Sequence, residues 1–161
     1  MPRLTRPQIE GLFADRIMTL DGAMGTSIQQ RDLSAADYGG DEYEGCVDYV
    51  SVTRPAIIED IHAEYLAAGA DIIETNTFGG TATVLAEYGL QDEVAVVNLA
   101  GAEAARRAAD AASTADRPRL VAGSLGPGTK PSAGTGGITW EEARLAPKHL
   151  SEPTRIGKIP Y

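Results

Sequence analysis

Residues 70–78 read ADIIETNTF, and this stretch decides the class of fold. Its two isoleucines, Ile72 and Ile73, are followed at once by a carboxylate, two hydroxyls and an amide. A continuous apolar run is typical of a strand covered on both faces of a parallel sheet. Buried polar groups cost free energy unless they are satisfied. The stretch therefore predicts a buried strand whose C-terminal end carries either hydrogen-bonded scaffolding or the rim of a site.

Strands and helices alternate along the chain on both sides of this stretch. Apolar runs at 17–20 (IMTL) and 119–125 (RLVAGSL) predict two more strands. A helix is predicted from Pro55 to Gly69, and a short and a long helix, broken near Gly89, are predicted between residues 81 and 112. Residues 29–52 are interpreted as a long loop with one short helix. This order predicts an α/β fold with right-handed βαβ units and parallel strands.

The C-terminal ends of the three predicted strands carry polar side chains. Asp21 follows the first strand, residues 74–77 close the second, and Ser124 closes the third. Loops after the carboxyl ends of parallel strands carry the chemistry of such folds. The placement favours a site over scaffolding, and a carboxylate such as Asp21 could pair with a substrate ammonium group.

Length and composition fit one domain, since the chain has 161 residues, 43% of them hydrophobic. A net charge of -9 argues against nucleic acid as a partner. We find no apolar run of membrane-spanning length and no signal peptide, and the single cysteine, Cys46, suits a reducing compartment. We therefore expect a cytoplasmic protein without a membrane partner.

Other motifs give weaker signals. The glycine loop at 123–132 (GSLGPGTKPS) departs from a phosphate loop because Thr129 stands before the lysine and a proline follows it. His62 is interpreted as a surface or boundary histidine, and Cys46 as a small buried hydrophobe. A helix is predicted to begin near Thr139.

Several segments together resemble one known family. LDGAMGTSIQ (20–29), GCVDYVSVTRPAIIEDIHAEYLAAGADIIETNTFGGT (45–81) and VAGSLGPGTK (121–130) are similar to the N-terminal part of homocysteine S-methyltransferases, including the homocysteine-binding barrel of cobalamin-dependent methionine synthases. The resemblance runs from about residue 10 to residue 142. It implies the first three βα units of a (β/α)₈ barrel, with an irregular tail over 143–161.

The resemblance also implies a function. Family members bind homocysteine through zinc held by three cysteine thiolates and transfer to it a methyl group from a donor such as methylcobalamin or methyltetrahydrofolate. It places Asp21 and Gly22 against the amino-acid end of homocysteine, residues 75–78 at the mouth of the barrel, and Ser124 on the rim above the third strand. The implied substrate-binding residues are Asp21, Gly22, Ala23, Thr75, Asn76, Thr77 and Ser124.

The chain departs from the family pattern in its cysteines. One thiol cannot build a three-thiolate zinc site, and Cys46 matches a loop position that is not a ligand, so we expect neither catalytic nor metal-binding residues here. We expect a truncated barrel that is inactive alone and that self-associates through an uncovered strand edge. Two alternatives remain open: a non-catalytic α/β interaction module completed by a partner chain, and a small phosphate-binding α/β domain.

Overall fold

The computed structural model describes residues 4–126 of the chain. Short 3₁₀ turns at Asp41–Tyr43 and Ala86–Tyr88 accompany the regular elements. In chain order, those elements are α1 (Arg6–Asp15), α2 (Met24–Gln29), α3 (Ala35–Tyr38), α4 (Val50–Thr53), α5 (Pro55–Ala68), β1 (Ile72–Glu74), α6 (Ala82–Leu85), α7 (Val94–Ala112) and β2 (Leu120–Ala122).

The strands β1 and β2 form a small parallel sheet. Ile72 lies opposite Leu120 and Glu74 lies opposite Ala122. The chain between them passes through α6 and α7, which is the long crossover that a parallel pair requires. The predicted mixed α/β chain with parallel strands is confirmed at this level.

The first predicted strand, at residues 17–20, is reduced to one parallel bridge between Leu20 and Ile72. The main-chain N–H of Asp21 donates to the carbonyl of Ile72 at 3.0 Å. In a continued ladder, the N–H of Glu74 would next donate to a carbonyl of this segment. It donates instead to Oδ1 of the Asp21 side chain at 2.9 Å. The segment therefore leaves the sheet at Asp21, because the carboxylate takes the place of the next backbone acceptor.

The helices α5 and α7 pack together and cover the sheet. α5 begins at Pro55 and ends at Gly69, whose φ of 114° is the left-handed conformation that glycine adopts at a helix end. Ile58 and Ile61 are fully buried, and Ala104 of α7 packs into the same cluster. The predicted bounds of α5, and the predicted short and long helices after β1, are confirmed.

A hub of charges fixes the N-terminal end of β1. The Asp71 side chain is 2% exposed and lies within 3.0 Å of guanidinium nitrogens of Arg16 and Arg117. Its Oδ2 accepts hydrogen bonds from the N–H and the hydroxyl of Thr19, both at 3.1 Å. Burial alone would raise the pKa of Asp71, but these donors hold it well below its ordinary value. The hub ties the first segment to β1 at the end of the sheet opposite to the polar cluster.

Two local interpretations are wrong. The region 29–52 contains two short helices, α3 and α4, rather than one, and α3 begins with a capping box between Ser34 and Asp37. His62 is not at the surface, since it is fully buried.

The predicted helix near Thr139, the tail over 143–161 and most of the glycine loop at 123–132 lie outside the described residues. Among residues 4–126, no helix is long and apolar enough to cross a membrane.

Candidate functional site

A cavity of about 470 Å³ opens at the C-terminal ends of β1, β2 and the bridge segment. It is lined by residues from four parts of the chain, which are 21–25, 45–48, 74–88 in part, and Ser124. The strands bring the first, third and fourth of these together, since parallel strands share one carboxyl edge. The cavity lies where the polar cluster follows the strands.

Asp21 is a buried carboxylate in this cavity, held by a main-chain hydrogen bond. Its side chain is 4% exposed, and Oδ1 accepts the Glu74 N–H. Oδ2 lies 3.9 Å from Nδ1 of His62. Burial, together with the nearby Glu74 carboxylate, raises the pKa of Asp21 from 3.8 to about 6. Asp21 is therefore mostly ionised at neutral pH but titrates close to it.

The hydroxyls that follow β1 continue the sheet where its backbone ladder ends. Oγ1 of Thr75 accepts the Ser124 N–H at 3.0 Å, and the Thr77 hydroxyl donates to the Ser124 carbonyl at 2.8 Å. The two threonine oxygens are 2.7 Å apart. The Ser124 hydroxyl is left to contact the Glu74 carboxylate at 3.4 Å. Thr75 and Thr77 thus hold the loop after β2 in place, while Ser124 lies at the cavity wall.

Asn76 joins the strand end to the loop 45–48. Its amide donates to the carbonyl of Val47 at 2.8 Å and to the hydroxyl of Ser51 at 3.0 Å. Asp48, which is 6% exposed, accepts the Gly79 N–H at 2.8 Å, and burial raises the pKa of Asp48. These bonds bring a loop far away in sequence to the opposite wall of the cavity.

Helix α7 is pressed against the same strand end. A Cβ added at Gly101 would lie 2.8 Å from Cγ2 of Thr77 and 3.1 Å from the carbonyl oxygen of Asn76. A side chain does not fit at these distances. Gly101 therefore sets how closely α7 approaches the residues that shape the cavity.

The charged residues that line the cavity are all acidic. Its four acidic residues are Asp21, Asp48, Glu74 and Glu87, and no lysine or arginine occurs among its described residues. An acidic cavity of this kind favours a ligand with a cationic group, such as an ammonium.

Six of the seven residues that the sequence identifies as substrate-binding line this cavity: Asp21, Gly22, Ala23, Thr75, Asn76 and Ser124. Thr77 lies behind the wall and acts through Ser124. Sequence reasoning missed the loop 45–48 as a wall of the site, and no local pattern marks it, because its position depends on Asn76. It also missed His62, although Ile58 and Leu66, four residues away on either side, both belong to the buried face of α5.

The comparisons with known proteins decide the family. The sequence model described as homocysteine S-methyltransferase matches residues 18–149. The chain belongs to the homocysteine S-methyltransferase family. Methionine synthase of Mycobacterium leprae (strain TN) is 45% identical over 118 residues, and that of Mycobacterium tuberculosis (strain ATCC 25618 / H37Rv) is 44% identical over 119 residues.

Solved structures of this family have the same fold over most of the chain. Crystal structures of the homocysteine methyltransferase MmuM from Escherichia coli match with TM-scores of 0.66 (oxidized form) and 0.69 (metallated form), both at 25% identity. The matches cover 90% and 93% of this chain, but 53% and 54% of MmuM. Against the two methionine synthases, the match covers 73% and 74% of this chain and 10% of each relative. This family member therefore spans about half the length of MmuM and about a tenth of the methionine synthases.

The residues of this family member do not fit the zinc that the resemblance implies. The chain has a single cysteine, whereas the implied site needs three thiolates. Cys46 is 3% exposed, and burial raises its pKa to about 11, so it is a neutral thiol at physiological pH. Within residues 4–126, no three His, Cys, Asp or Glu side chains are grouped so that they could hold a metal ion.

Proposed function

We propose that this chain forms the substrate pocket of a homocysteine S-methyltransferase, and that it holds homocysteine by its amino-acid end. The observation that carries the proposal is Asp21, a buried carboxylate in an acidic cavity with one oxygen committed to the main chain. Its second oxygen accepts a hydrogen bond from the substrate ammonium. An ion-paired hydrogen bond of this kind is among the stronger polar contacts in proteins.

The other lining residues have supporting roles in this proposal. The exposed turn at Gly22 and Ala23 brings main chain to the cavity without bulky side chains, and its N–H groups receive the substrate carboxylate. Thr75, Asn76 and Ser124 line the cavity at the strand ends, and Thr77 holds Ser124 in place. The thiol end of the substrate then points away from Asp21, toward residues that this chain does not supply.

In this proposal, the chain binds one end of the substrate and not the other because it forms only part of a barrel. Residues 10–142 form the first βα units of a (β/α)₈ barrel in this proposal, and the sulfur is activated by the remaining units. The proposal also includes a small-molecule substrate, methylcobalamin or methyltetrahydrofolate as the methyl donor, and a cytoplasmic location. The isolated chain then neither binds zinc tightly nor makes methionine. Stoichiometric zinc in metal analysis, together with methionine formed from either donor, would contradict this part of the proposal.

Calorimetric titration of the 161-residue chain tests the pocket itself. The ligands are L-homocysteine and 4-mercaptobutanoate, which lacks the amino group. We expect the chain to prefer homocysteine by about 10- to 100-fold, since a hydrogen bond to a charged group contributes about 1.5–3 kcal/mol. In Asp21→Asn this preference should disappear. Asp116→Asn, an exposed carboxylate in the loop before β2, is the matched control and should keep it.

A preference that survives in Asp21→Asn would show that the ammonium binds elsewhere. Equal affinity for the two ligands in the unmodified chain would remove the ammonium pocket altogether. Either result contradicts the assigned role of Asp21.

A second candidate function, an interaction module completed by another chain, is favoured by exposed apolar side chains near the sheet. Ile17 is 92% exposed, and Leu20, Phe78 and Leu125 are each more than half exposed. Apolar residues at a strand edge favour association. Light scattering after gel filtration should therefore give a mass above the 16.9 kDa of one chain. A monomer at micromolar concentration would argue against this second function.

A further inference from the structure

His62 is the buried polar group that the proposed function does not use. It lies in the middle of α5 and is fully buried. Among the described residues, neither of its ring nitrogens has a hydrogen-bond partner. A buried polar atom without a partner costs free energy, and such groups are uncommon in folded proteins. A histidine that served only to fill space could be replaced by an apolar residue at no loss.

The carboxylate of Asp21 lies beside the His62 ring. Nδ1 lies 3.9 Å from Oδ2, about 1 Å longer than a hydrogen bond. Oδ1 of the same carboxylate is already held by the Glu74 N–H. The imidazole thus stands beside the oxygen that the proposed function assigns to the substrate ammonium.

The surroundings keep this imidazole uncharged. Burial lowers the pKa of His62 to about 4, against the opposing effect of Glu59 one turn away on α5. Glu59 is itself paired with Arg107 of α7, at 2.7 Å. Glu74 of β1 is the other charged group beside Asp21. A neutral imidazole carries one N–H, which can be on either nitrogen.

We propose that His62 is the positioning residue of Asp21, with its proton on Nδ1 and directed at Oδ2 of the carboxylate. This inference rests on the proposed function, in which Asp21 receives the substrate ammonium. Across the 3.9 Å contact, the positive end of the N–H dipole faces the carboxylate already in the unliganded chain. The Nδ1–H stabilises the ionised form of Asp21 and fixes the direction of its free lone pairs. Nε2 keeps its lone pair and is buried.

Three substitutions separate this role from simple packing. Asn places its amide nitrogen near the position of Nδ1, Gln places it near Nε2, and Phe fills the space without a donor. The readout is the pH at which homocysteine affinity falls to half its maximum, measured by calorimetry on the full chain. We expect this midpoint near pH 6 in the unmodified chain, because the pKa of Asp21 is about 6. It should stay there in His62→Asn and rise by about one pH unit in His62→Phe and His62→Gln. Packing defects alone would weaken affinity equally at every pH.

A second readout needs no ligand. The chain has two histidines, His62 and His149. Imidazole ¹⁵N chemical shifts report which nitrogen carries the proton, and His62→Asn assigns the signals. We expect a neutral Nδ1–H tautomer for His62 between pH 5 and 8, whereas an Nε2–H tautomer or an imidazolium in that range overturns the inference.

The two readouts also distinguish failure of the inference from failure of the proposed function. If homocysteine binds and Asp21→Asn weakens it, but His62→Phe leaves the midpoint unchanged, the role of His62 is refuted and the proposed function stands. If homocysteine does not bind at all, the proposed function falls. His62 as a substrate-positioning residue then falls with it, whatever its tautomer.

Discussion

Asp21→Asn should stabilise the fold at neutral pH while it removes the proposed preference for the substrate ammonium group. The ionised carboxylate is held in a site that raises its pKa from 3.8 to about 6. That difference corresponds to about 3 kcal/mol of unfavourable free energy for the charged form in the folded state. Because the cavity admits water that screens part of this effect, we expect a gain of about 2 kcal/mol. Asparagine keeps an oxygen that can still accept the Glu74 N–H.

The pH dependence of this gain identifies its origin. A carboxyl group whose pKa is raised on folding binds its proton more tightly in the folded state, so stability falls as pH rises from about 4 to about 6. The Asn variant lacks this loss. Its unfolding free energy should therefore match that of the unmodified chain near pH 4 and exceed it at pH 7.5.

Urea unfolding followed by circular dichroism at these two pH values measures the effect. Asp116→Asn, the exposed control, should change the unfolding free energy little at either pH. An Asn variant that is less stable at pH 7.5 would refute the argument that burial disfavours the ionised form of Asp21. A gain in unfolding free energy of equal size at both pH values would refute it as well.

Three further predictions test the surroundings of the cavity. Asp71→Asn should destabilise the fold by about 2 kcal/mol at pH 7, because the buried Asp71 carboxylate pairs with the partly exposed guanidinium groups of Arg16 and Arg117. The folded state lowers the pKa of Asp71, so this loss should shrink as urea unfolding is repeated below pH 4; a constant loss would contradict the hub. Gly101→Ala should lower the melting temperature, since the new Cβ meets Thr77 at 2.8 Å, whereas Gly11→Ala in α1, with nothing within 4 Å, should raise it by helix propensity worth about 1 kcal/mol. Equal effects of the two alanines would exclude the close contact. Cys46 should react with a thiol reagent at pH 8 only after urea is added, because it is 3% exposed and its pKa is about 11; rapid labelling of the folded chain would show that the cavity wall opens.

The sequence was sufficient for the elements whose signals are local. α5 is bounded by a proline that starts it and a glycine that stops it, and its apolar spacing already selects the buried face. The strand β1 is marked by two isoleucines before a polar cluster. Parallel pairing follows from the alternation of strands and helices, because each crossover returns the chain in the same direction.

What could not be predicted depends on contacts between distant residues. The first segment forms one bridge instead of a strand because the side chain of Asp21 accepts the Glu74 N–H, 53 residues later. The loop 45–48 reaches the cavity because Asn76 binds the carbonyl of Val47. The burial of His62 follows from the packing of α5, on which Ile58 and Leu66 share its face. The seven predicted substrate residues stay a prediction, although six of them meet at one cavity.

One oxygen of the Asp21 carboxylate accepts a main-chain hydrogen bond, and the other is left for the cavity. Glutamate carries its carboxylate one methylene further from the main chain, so it would not place an oxygen in the position that Oδ1 of Asp21 takes beside the Glu74 N–H. The point at which the chain turns out of the sheet and the charge presented to the cavity therefore depend on one side chain. Asparagine keeps the main-chain contact through its amide oxygen and loses the negative charge presented to the cavity.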